Sequence, residues 1–432
     1  MAPQLDDKKS ILETFRKQKG PDPFWLESLR KEAASQFAGL DFPTLRDEEW
    51  KYTNVEPLLK NSFSFAPSTD KLTPPENLLG RDEKVRLVFT NGNFSKELSR
   101  IPEENGIIIE NFTEALRSHP KTFEPYFAKQ ADFKKDAFTA LNTALFCDGA
   151  FIFLPKGEIL ETPIHLIFIS SEEKVISQPR NLIVLGEGAQ AKVIETHLSL
   201  HQEVYFKNAV TEIVLQPNAT LHHYKIQRES KKAFHISTAQ ITCEKESAYH
   251  SYSFTFGAGL SRENINVKLA DEGSSCELNG LYLVSDIQHT DHHTMIDHAK
   301  PRGRSRQVYK GVLGGRSKAV FNGKIFVRAG AQKTDAHQTN KNILLTRGAT
   351  VDTKPQLEIL ADDVKCTHGA AIGELEESEI FYARSRGLSE ARARHLLTYG
   401  FASEVVSAVK IEPLRSGLDQ RVWQALQKEA LP

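Results

Sequence analysis

The apolar positions of the first sixty residues recur with the period of a helix. Ser10 can cap a first helix, and the stretch 24–37 places Leu26, Leu29 and Ala33 on one face of a second helix. We therefore expect the chain to begin with helices.

A mixed pattern follows up to about residue 147. The runs 85–89 and 107–109 are short and apolar, as in strands, whereas 136–146 has the spacing of a helix. Together with the preceding helices, these elements predict a helical and α/β cap region over residues 1–147.

From residue 148 to residue 373 the pattern becomes that of strands. Short runs rich in Val, Ile, Leu, Thr and Phe alternate with turns of small residues, and no crossover helix separates them. The turns 186–191, 216–221 and 245–249 are spaced by about 27 to 30 residues, which is a repeat-like period. Regular turns favour a mainly β fold with a solenoid core, and a two-sheet sandwich stays open.

Helical spacing returns over residues 374–432. Gly387 is placed to end a first helix, Ser389 to cap a second, and Pro413 to break the second before a last amphipathic helix. Helices at both ends would cap a solenoid. Exposed aromatic side chains such as Phe381 and Tyr382 could instead dock a partner.

Composition narrows the class of protein. With 55 basic and 56 acidic residues, the net charge is -1, which gives no global electrostatic reason to bind nucleic acid or a membrane. The four cysteines Cys147, Cys243, Cys276 and Cys366 are scattered and form no C-x-x-C motif. No apolar leader or run of about 18 apolar residues is visible, so we expect a cytoplasmic protein.

The most informative local feature is the pair Cys366 and His368 near the end of the β-rich stretch. Alternate side chains of a strand share a face, so the thiol and the imidazole would stand side by side. Both are ligands for iron or zinc, but a closed zinc or iron–sulfur site needs more than two ligands. The pair is therefore either part of a site shared with another chain or a buried cysteine beside a structural histidine.

Two other polar runs are weaker candidates. Strand alternation would put His289, Asp291 and His293 on one face, which is a conceivable iron site, but neighbours on one face lie roughly 6.6 Å apart. A polar ladder is the favoured interpretation there. The amide-rich run 334–342 is best read as stacked amides that hold rungs together.

Several catalytic motifs are missing from the sequence. It contains no G-x-x-x-x-G-K-[ST], no G-x-S-x-G and no H-E-x-x-H, so we expect neither ATP binding by this chain nor an enzyme of these classes. A solenoid polysaccharide lyase or hydrolase would need converging carboxylates, and no obvious acidic pair is present.

Together these segments resemble the SufB/SufD family of the SUF iron–sulfur cluster assembly machinery, and within it the SufD type. SufB-type chains carry a cysteine in the strand before the proline that corresponds to Pro355, and 344–355 has none here. The run Lys-Cys-Thr-His-Gly at 365–369 is similar to the SufD type. The likeness is strongest over about 288–405, in the segments 305–311, 319–325, 333–335, 340–345, 351–359, 361–370 and 379–387.

The resemblance implies a right-handed parallel β-helix core over 148–373 and a C-terminal helical domain over 374–432. It also implies a heterodimer with SufB and two bound copies of the ATPase SufC. A transient nascent iron–sulfur cluster, shared with SufB, would have His368 as a ligand, with Cys366 as a second candidate. The helical domain would bind SufC through Phe381, Tyr382, Arg384, Arg386 and Leu388.

The implied role is that of a non-catalytic scaffold. It would couple ATP hydrolysis by SufC to cluster assembly and iron acquisition, binding no ATP itself. Two alternatives stay open at this point: a SufB-like homodimeric scaffold, and a self-sufficient metal-binding β-helix that uses the histidines of 289–298.

Overall fold

The computed structural model describes residues 4–18, 22–66, 84–102 and 106–429. Within these residues, strands form two ten-stranded sheets. The strands are β1 (Val85–Thr90), β2 (Asn93–Arg100), β3 (Ile108–Asn111), β4 (Ala150–Leu154), β5 (Ile164–Ser170), β6 (Ile176–Ser177), β7 (Arg180–Leu185), β8 (Gln190–Ser199), β9 (Phe206–Leu215), β10 (Thr220–Arg228), β11 (Phe234–Cys243), β12 (Ala248–Thr255), β13 (Leu260–Leu269), β14 (Ser275–Val284), β15 (His289–His298), β16 (Arg304–Leu313), β17 (Lys318–Val327), β18 (Asp335–Leu344), β19 (Thr350–Ile359) and β20 (Lys365–Gly373).

Successive strands from β7 onward alternate between the two sheets. The first sheet has the order β2-β1-β5-β8-β10-β12-β14-β16-β18-β20, and the second runs β19-β17-β15-β13-β11-β9-β7-β4-β3 with β6 beside β9. Thr220 pairs in parallel with Ala248, 28 residues later, and Ala248 with Ser275, 27 residues later. The predicted solenoid and its period are confirmed, and the sandwich alternative is wrong because sandwich sheets are antiparallel.

Side chains between the two sheets form the core of the solenoid. The period-two pattern of each strand turns one apolar set inward, and parallel register stacks equivalent positions into columns. One such column continues through six rungs of the second sheet: Ile213, Ile241, Val267, Ile296, Ile325 and Leu357. The first five of these are buried.

The helices cover the outer faces of the sheets. They are α1 (Lys8–Gln18), α2 (Phe24–Gly39), α3 (Glu56–Leu59), α4 (Phe112–Ser118), α5 (Pro120–Phe123), α6 (Ala137–Leu145), α7 (Glu377–Ser385), α8 (Glu390–Ser407) and α9 (Glu412–Glu429), with a short 3₁₀ helix at Glu48–Trp50. Phe112 and Phe123 pack on Leu182 of the second sheet. Val405 of α8 and Leu418 of α9 belong to an apolar cluster with strands of the first sheet.

Two predicted helix boundaries are wrong. Helix α1 begins before Ser10, whose backbone N–H donates to the Asp7 carboxylate at 3.1 Å, so Asp7 rather than Ser10 supplies the cap. Pro413 does not break a helix: α8 has already ended at Ser407, and Pro413 lies in the first turn of α9, where the missing N–H costs nothing. The cap at Ser389 is confirmed by its hydrogen bond from the Arg392 backbone N–H.

No helix in the described part of the chain is both long and apolar enough to span a bilayer.

Candidate functional site

The last rung of the solenoid, β19 and β20, is open at the end, and we call it the terminal rung. Among the described strands, β20 pairs only with β18 and β19 only with β17, so each has one row of backbone N–H and C=O groups without a neighbouring strand there. All residues of β20 except Cys366 are exposed. Long, parallel edge strands of this kind favour pairing with another chain.

Cys366 and His368 lie on the inner side of the terminal rung, as the strand alternation predicts. Cys366 is in register with Ala336, and His368 with Gln338, both buried inner residues of β18. Cys366 is half-buried and packs against the solenoid core, whereas His368 is exposed because no further rung covers it. The two donors therefore share the face that a partner at the open end would cover.

The chemistry of the pair fits a shared site rather than a complete one. Burial raises the pKa of the Cys366 thiol, and the negative charge of Asp335 raises it further, so the thiol holds its proton more firmly than a free cysteine does. Throughout the residues that the structure describes, no three His, Cys, Asp or Glu side chains converge as metal ligands. Within the described residues the pair is therefore an incomplete set of metal ligands.

The predicted partner residues lie in the second half of α7 and directly after its end. Phe381 and Tyr382 are 72% and 63% exposed, and Ile380 is the buried side chain that anchors this helix. Gly387 adopts φ 93°, and the backbone N–H groups of Gly387 and Leu388 donate to the carbonyls of Arg384 and Ala383. This Schellman motif ends the helix.

Charged side chains complete the α7 surface. The Arg386 guanidinium lies 5.7 Å from the Tyr382 ring centroid, and Arg384 lies 3.5 Å from Glu390 of α8. Arg384 and Arg386 are exposed, and Leu388 is half-buried. The surface is thus apolar at its centre and basic at its rim, a common composition for protein–protein contacts.

The C-terminal helices are attached to the solenoid in two ways, by a short link before α7 and by side-chain contacts of α8. Only residues 374–376 separate the end of β20 from the start of α7. Lys310 of β16 donates to the Phe401 carbonyl of α8 at 3.0 Å and pairs with Glu404. The helical domain is therefore connected to the terminal rung by the chain itself and to the solenoid body by α8.

The histidine-rich strand β15 holds the N-terminal region in place. Thr53 donates to Asp291 at 2.5 Å and lies 2.9 Å from the Nε2 atom of His289. Arg262 bridges Asp291, at 2.8 Å, and the ring of Trp50, at 3.7 Å. Because these groups are engaged with one another, they form a docking site for the 44–53 segment.

A buried polar network inside the solenoid was not predicted from the sequence. Glu229 lies 3.0 Å from Lys207 and 2.6 Å from His235. Glu195 lies 2.6 Å from His197 and 3.2 Å from His223. Burial alone would raise the pKa of both carboxyl groups, but these neighbours outweigh it and hold both pKa values well below the ordinary range.

A third carboxylate follows the same scheme, with Glu263 at 2.9 Å from Lys225 and 3.3 Å from His292. Polar residues at inward positions of strands were the available signal. Their partners, however, lie on neighbouring rungs, and only the register brings them together.

Comparison with known proteins decides the family. The model described as SUF system FeS cluster assembly, SufBD core domain, matches residues 168–401, and that of the SufBD protein N-terminal region matches residues 17–166. The chain belongs to the SufBD family. The resemblance seen in the sequence is therefore confirmed, and the protein is an iron–sulfur cluster assembly protein of this family.

Relatives of both types align with this SufBD protein over most of its length. A SufBD family protein of Synechocystis is 34% identical, covering 97% of this chain and 95% of the relative. The iron–sulfur cluster assembly protein SufD of Escherichia coli is 32% identical, covering 89% of each chain. The SufB protein of Bacillus subtilis is 24% identical, covering 94% of this chain and 90% of the relative.

Proposed function

We propose that this chain is the SufD-type scaffold subunit of a SUF assembly complex and pairs with SufB through its terminal rung. The observation that carries the proposal is an incomplete donor pair, Cys366 and His368, on the inner face of an unpaired rung. A nascent iron–sulfur cluster is the cargo of this interface. His368 supplies one ligand from its exposed ring, and SufB supplies a thiolate.

Cys366 is the weaker donor of the two. Its thiol is half-buried and its pKa is raised by burial, so ligation would need a metal ion to displace the proton. The four cysteines are free thiols, in keeping with the reducing cytoplasm in which we place the complex.

The test is the cluster content of the complex after co-expression with SufB and SufC. His368→Ala should abolish the iron–sulfur absorbance while the complex still assembles, because a ligand is lost. His337→Ala is the matched control, since His337 lies on the outer face of β18 and contacts Thr367. Unchanged cluster content in His368→Ala would contradict the proposal.

The second part of the proposal concerns α7 as the docking surface of SufC. ATP hydrolysis and dimerisation by SufC would pull on α7, and the link 374–376 would transmit the motion to β20. The terminal rung would twist against SufB and open the cluster site to iron and sulfur. In this scheme the chain itself is a lever and scaffold and binds no nucleotide.

Substitution of Phe381 and Tyr382 by Ala should abolish retention of SufC in a pull-down assay, since large exposed aromatic side chains commonly dominate such interfaces. Leu396→Ala serves as the control, because Leu396 is also exposed, at 47%, but lies on α8. Undiminished SufC binding by the double variant would refute this docking surface.

A further inference from the structure

A chain of amide hydrogen bonds inside the solenoid leads towards the terminal rung. Gln307 of β16 donates from Nε2 to the Thr294 hydroxyl at 2.5 Å, and Gln338 of β18 donates from Nε2 to the Gln307 Oε1 atom at 2.8 Å. Each amide thus donates to a strand that comes earlier in the solenoid, and its carbonyl oxygen is left for the next strand of the first sheet. We call this set the amide ladder.

The last acceptor of the amide ladder has no donor. Gln338 is 2% exposed, and its Oε1 atom is buried without a hydrogen-bond partner among the described residues. A buried carbonyl oxygen in this state is unfavourable unless a donor reaches it.

The orientation of this amide is tightly set. Its Nε2 atom lies in a space left by Gly323 of β17, where an added Cβ would come within 2.0 Å of it. Since the nitrogen is turned towards Gln307 on β16, the oxygen is left for the other neighbouring strand, β20.

His368 is the residue that occupies the next position of the ladder. It is in register with Gln338 in the parallel pair of β18 and β20, and both side chains lie on the inner face. Neighbouring strands are about 4.8 Å apart, a distance that a histidine ring can bridge. A neutral imidazole has one N–H donor and one free ring nitrogen.

We propose that Gln338 is a positioning residue for His368: on rotation of the His368 side chain onto the solenoid end, the Gln338 Oε1 atom accepts the ring N–H, which directs the other ring nitrogen towards the open end. This inference rests on the proposed function, in which that nitrogen ligates the nascent cluster. Ligating histidines commonly donate their second N–H to a carbonyl or carboxylate, which fixes the tautomer and the ring orientation.

The first measurement uses the full-length chain alone, with ¹⁵N-labelled histidine, and reads the tautomer of His368 by NMR at a pH where the ring is neutral. The wild type should show a single tautomer. Gln338→Met removes the acceptor and should give a mixture, whereas Gln338→Glu retains an acceptor and should keep the single tautomer. Gln356→Met is the control, since Gln356 is also on the terminal rung but on its outer face.

The second measurement uses the complex with SufB and SufC. The chelator concentration that removes half of the iron should fall on the order of 10- to 100-fold for Gln338→Met, the usual effect of losing such a supporting hydrogen bond. If Gln338→Met does not fold, Gly323→Ala displaces the same amide by a different route and should give the same two effects.

An unchanged His368 tautomer in a folded Gln338→Met or Gly323→Ala variant would overturn the proposal. So would unchanged chelator sensitivity of the Gln338→Met complex when His368→Ala does lose the cluster. If His368→Ala itself keeps the cluster, the proposed function is contradicted. The tautomer measurement on the chain alone still decides whether Gln338 orients His368.

Discussion

The middle rungs and the terminal rung of the solenoid both carry polar groups on their inner faces. They differ in whether these groups have partners from the same chain. In the middle rungs, Glu229 has Lys207 and His235 as partners from the same chain. At the terminal rung, His368 is exposed and the Gln338 Oε1 atom below it has no partner within the described residues. Because buried polar groups need partners, the Gln338 Oε1 atom has its proposed donor in the ring N–H of His368, and a second chain would supply the partners that the exposed ring itself lacks.

The strongest way to break this comparison is to place a charge on the inner face of the terminal rung. Ala370→Lys should abolish co-purification with SufB, because the ammonium group would be buried unpaired at the interface. Such a charge costs about 3–5 kcal/mol, which weakens binding by about 100-fold or more. The isolated variant should melt like the wild type, since Ala370 is exposed.

The matched control is Ala371→Lys, whose side chain points to the outer face of the same strand, opposite Lys341 in register. This variant should retain SufB. If both lysine variants bind SufB normally, the terminal rung is not the interface.

A smaller effect, confined to stability, is expected from the middle rungs. Glu229→Gln leaves the Lys207 ammonium buried without its carboxylate and should lower the free energy of unfolding by about 3–5 kcal/mol. Urea denaturation measures this. The double variant Glu229→Leu with Lys207→Met should recover much of the loss, and a single variant with wild-type stability would show that this network is not internally paired.

The smallest effect concerns pH. Burial lowers the pKa of His197 to about 3, against about 6.5 in an unfolded chain, although the Glu195 carboxylate partly offsets the shift. Below pH 6.5 the unfolded chain therefore binds one more proton at this site, so acidification destabilises the fold by up to about 1.4 kcal/mol per pH unit.

The free energy of unfolding should therefore fall less steeply on acidification in His197→Gln than in the wild type. The measurement compares the two proteins between pH 6.5 and pH 4.5. Burial raises the pKa of Asp148 to about 6, which contributes a slope of opposite sign, but it is common to both proteins and cancels in the difference. Parallel profiles for the two proteins would mean that His197 is not neutral in the folded state.

Local patterns predicted the fold well because they act within one rung. The spacing of small-residue turns gave the solenoid, and strand alternation placed Cys366 and His368 on one face, as the register confirms. The amides expected to hold rungs together in 334–342 are present, with Gln338 bonded to Gln307 and Asn340 to the Tyr309 carbonyl, both on β16.

Contacts between distant parts of the chain were not predictable in the same way. Thr53 and Asp291 are separated by 238 residues, and nothing in the spacing of β15 indicates that its outer face is covered. Gln307 and Gln338 are 31 residues apart, so their bond depends on the exact length of one rung. Which polar residues point inward was not predictable from the sequence, since a polar residue in a strand can face either side. Only the strand register of the structure shows it.

The 44–53 segment acts as a splint across four successive strands of the second sheet. Trp50 stacks on Arg262 of β13, Thr53 bonds Asp291 of β15, the Lys318 ammonium of β17 lies 5.7 Å from the Tyr52 ring, and Glu48 pairs with Lys354 of β19. The splint thus begins in the N-terminal cap and ends on the terminal rung. A shortened protein that starts at the solenoid would lose this brace and leave Arg262 and Asp291 uncovered, so the two family regions form one mechanical unit.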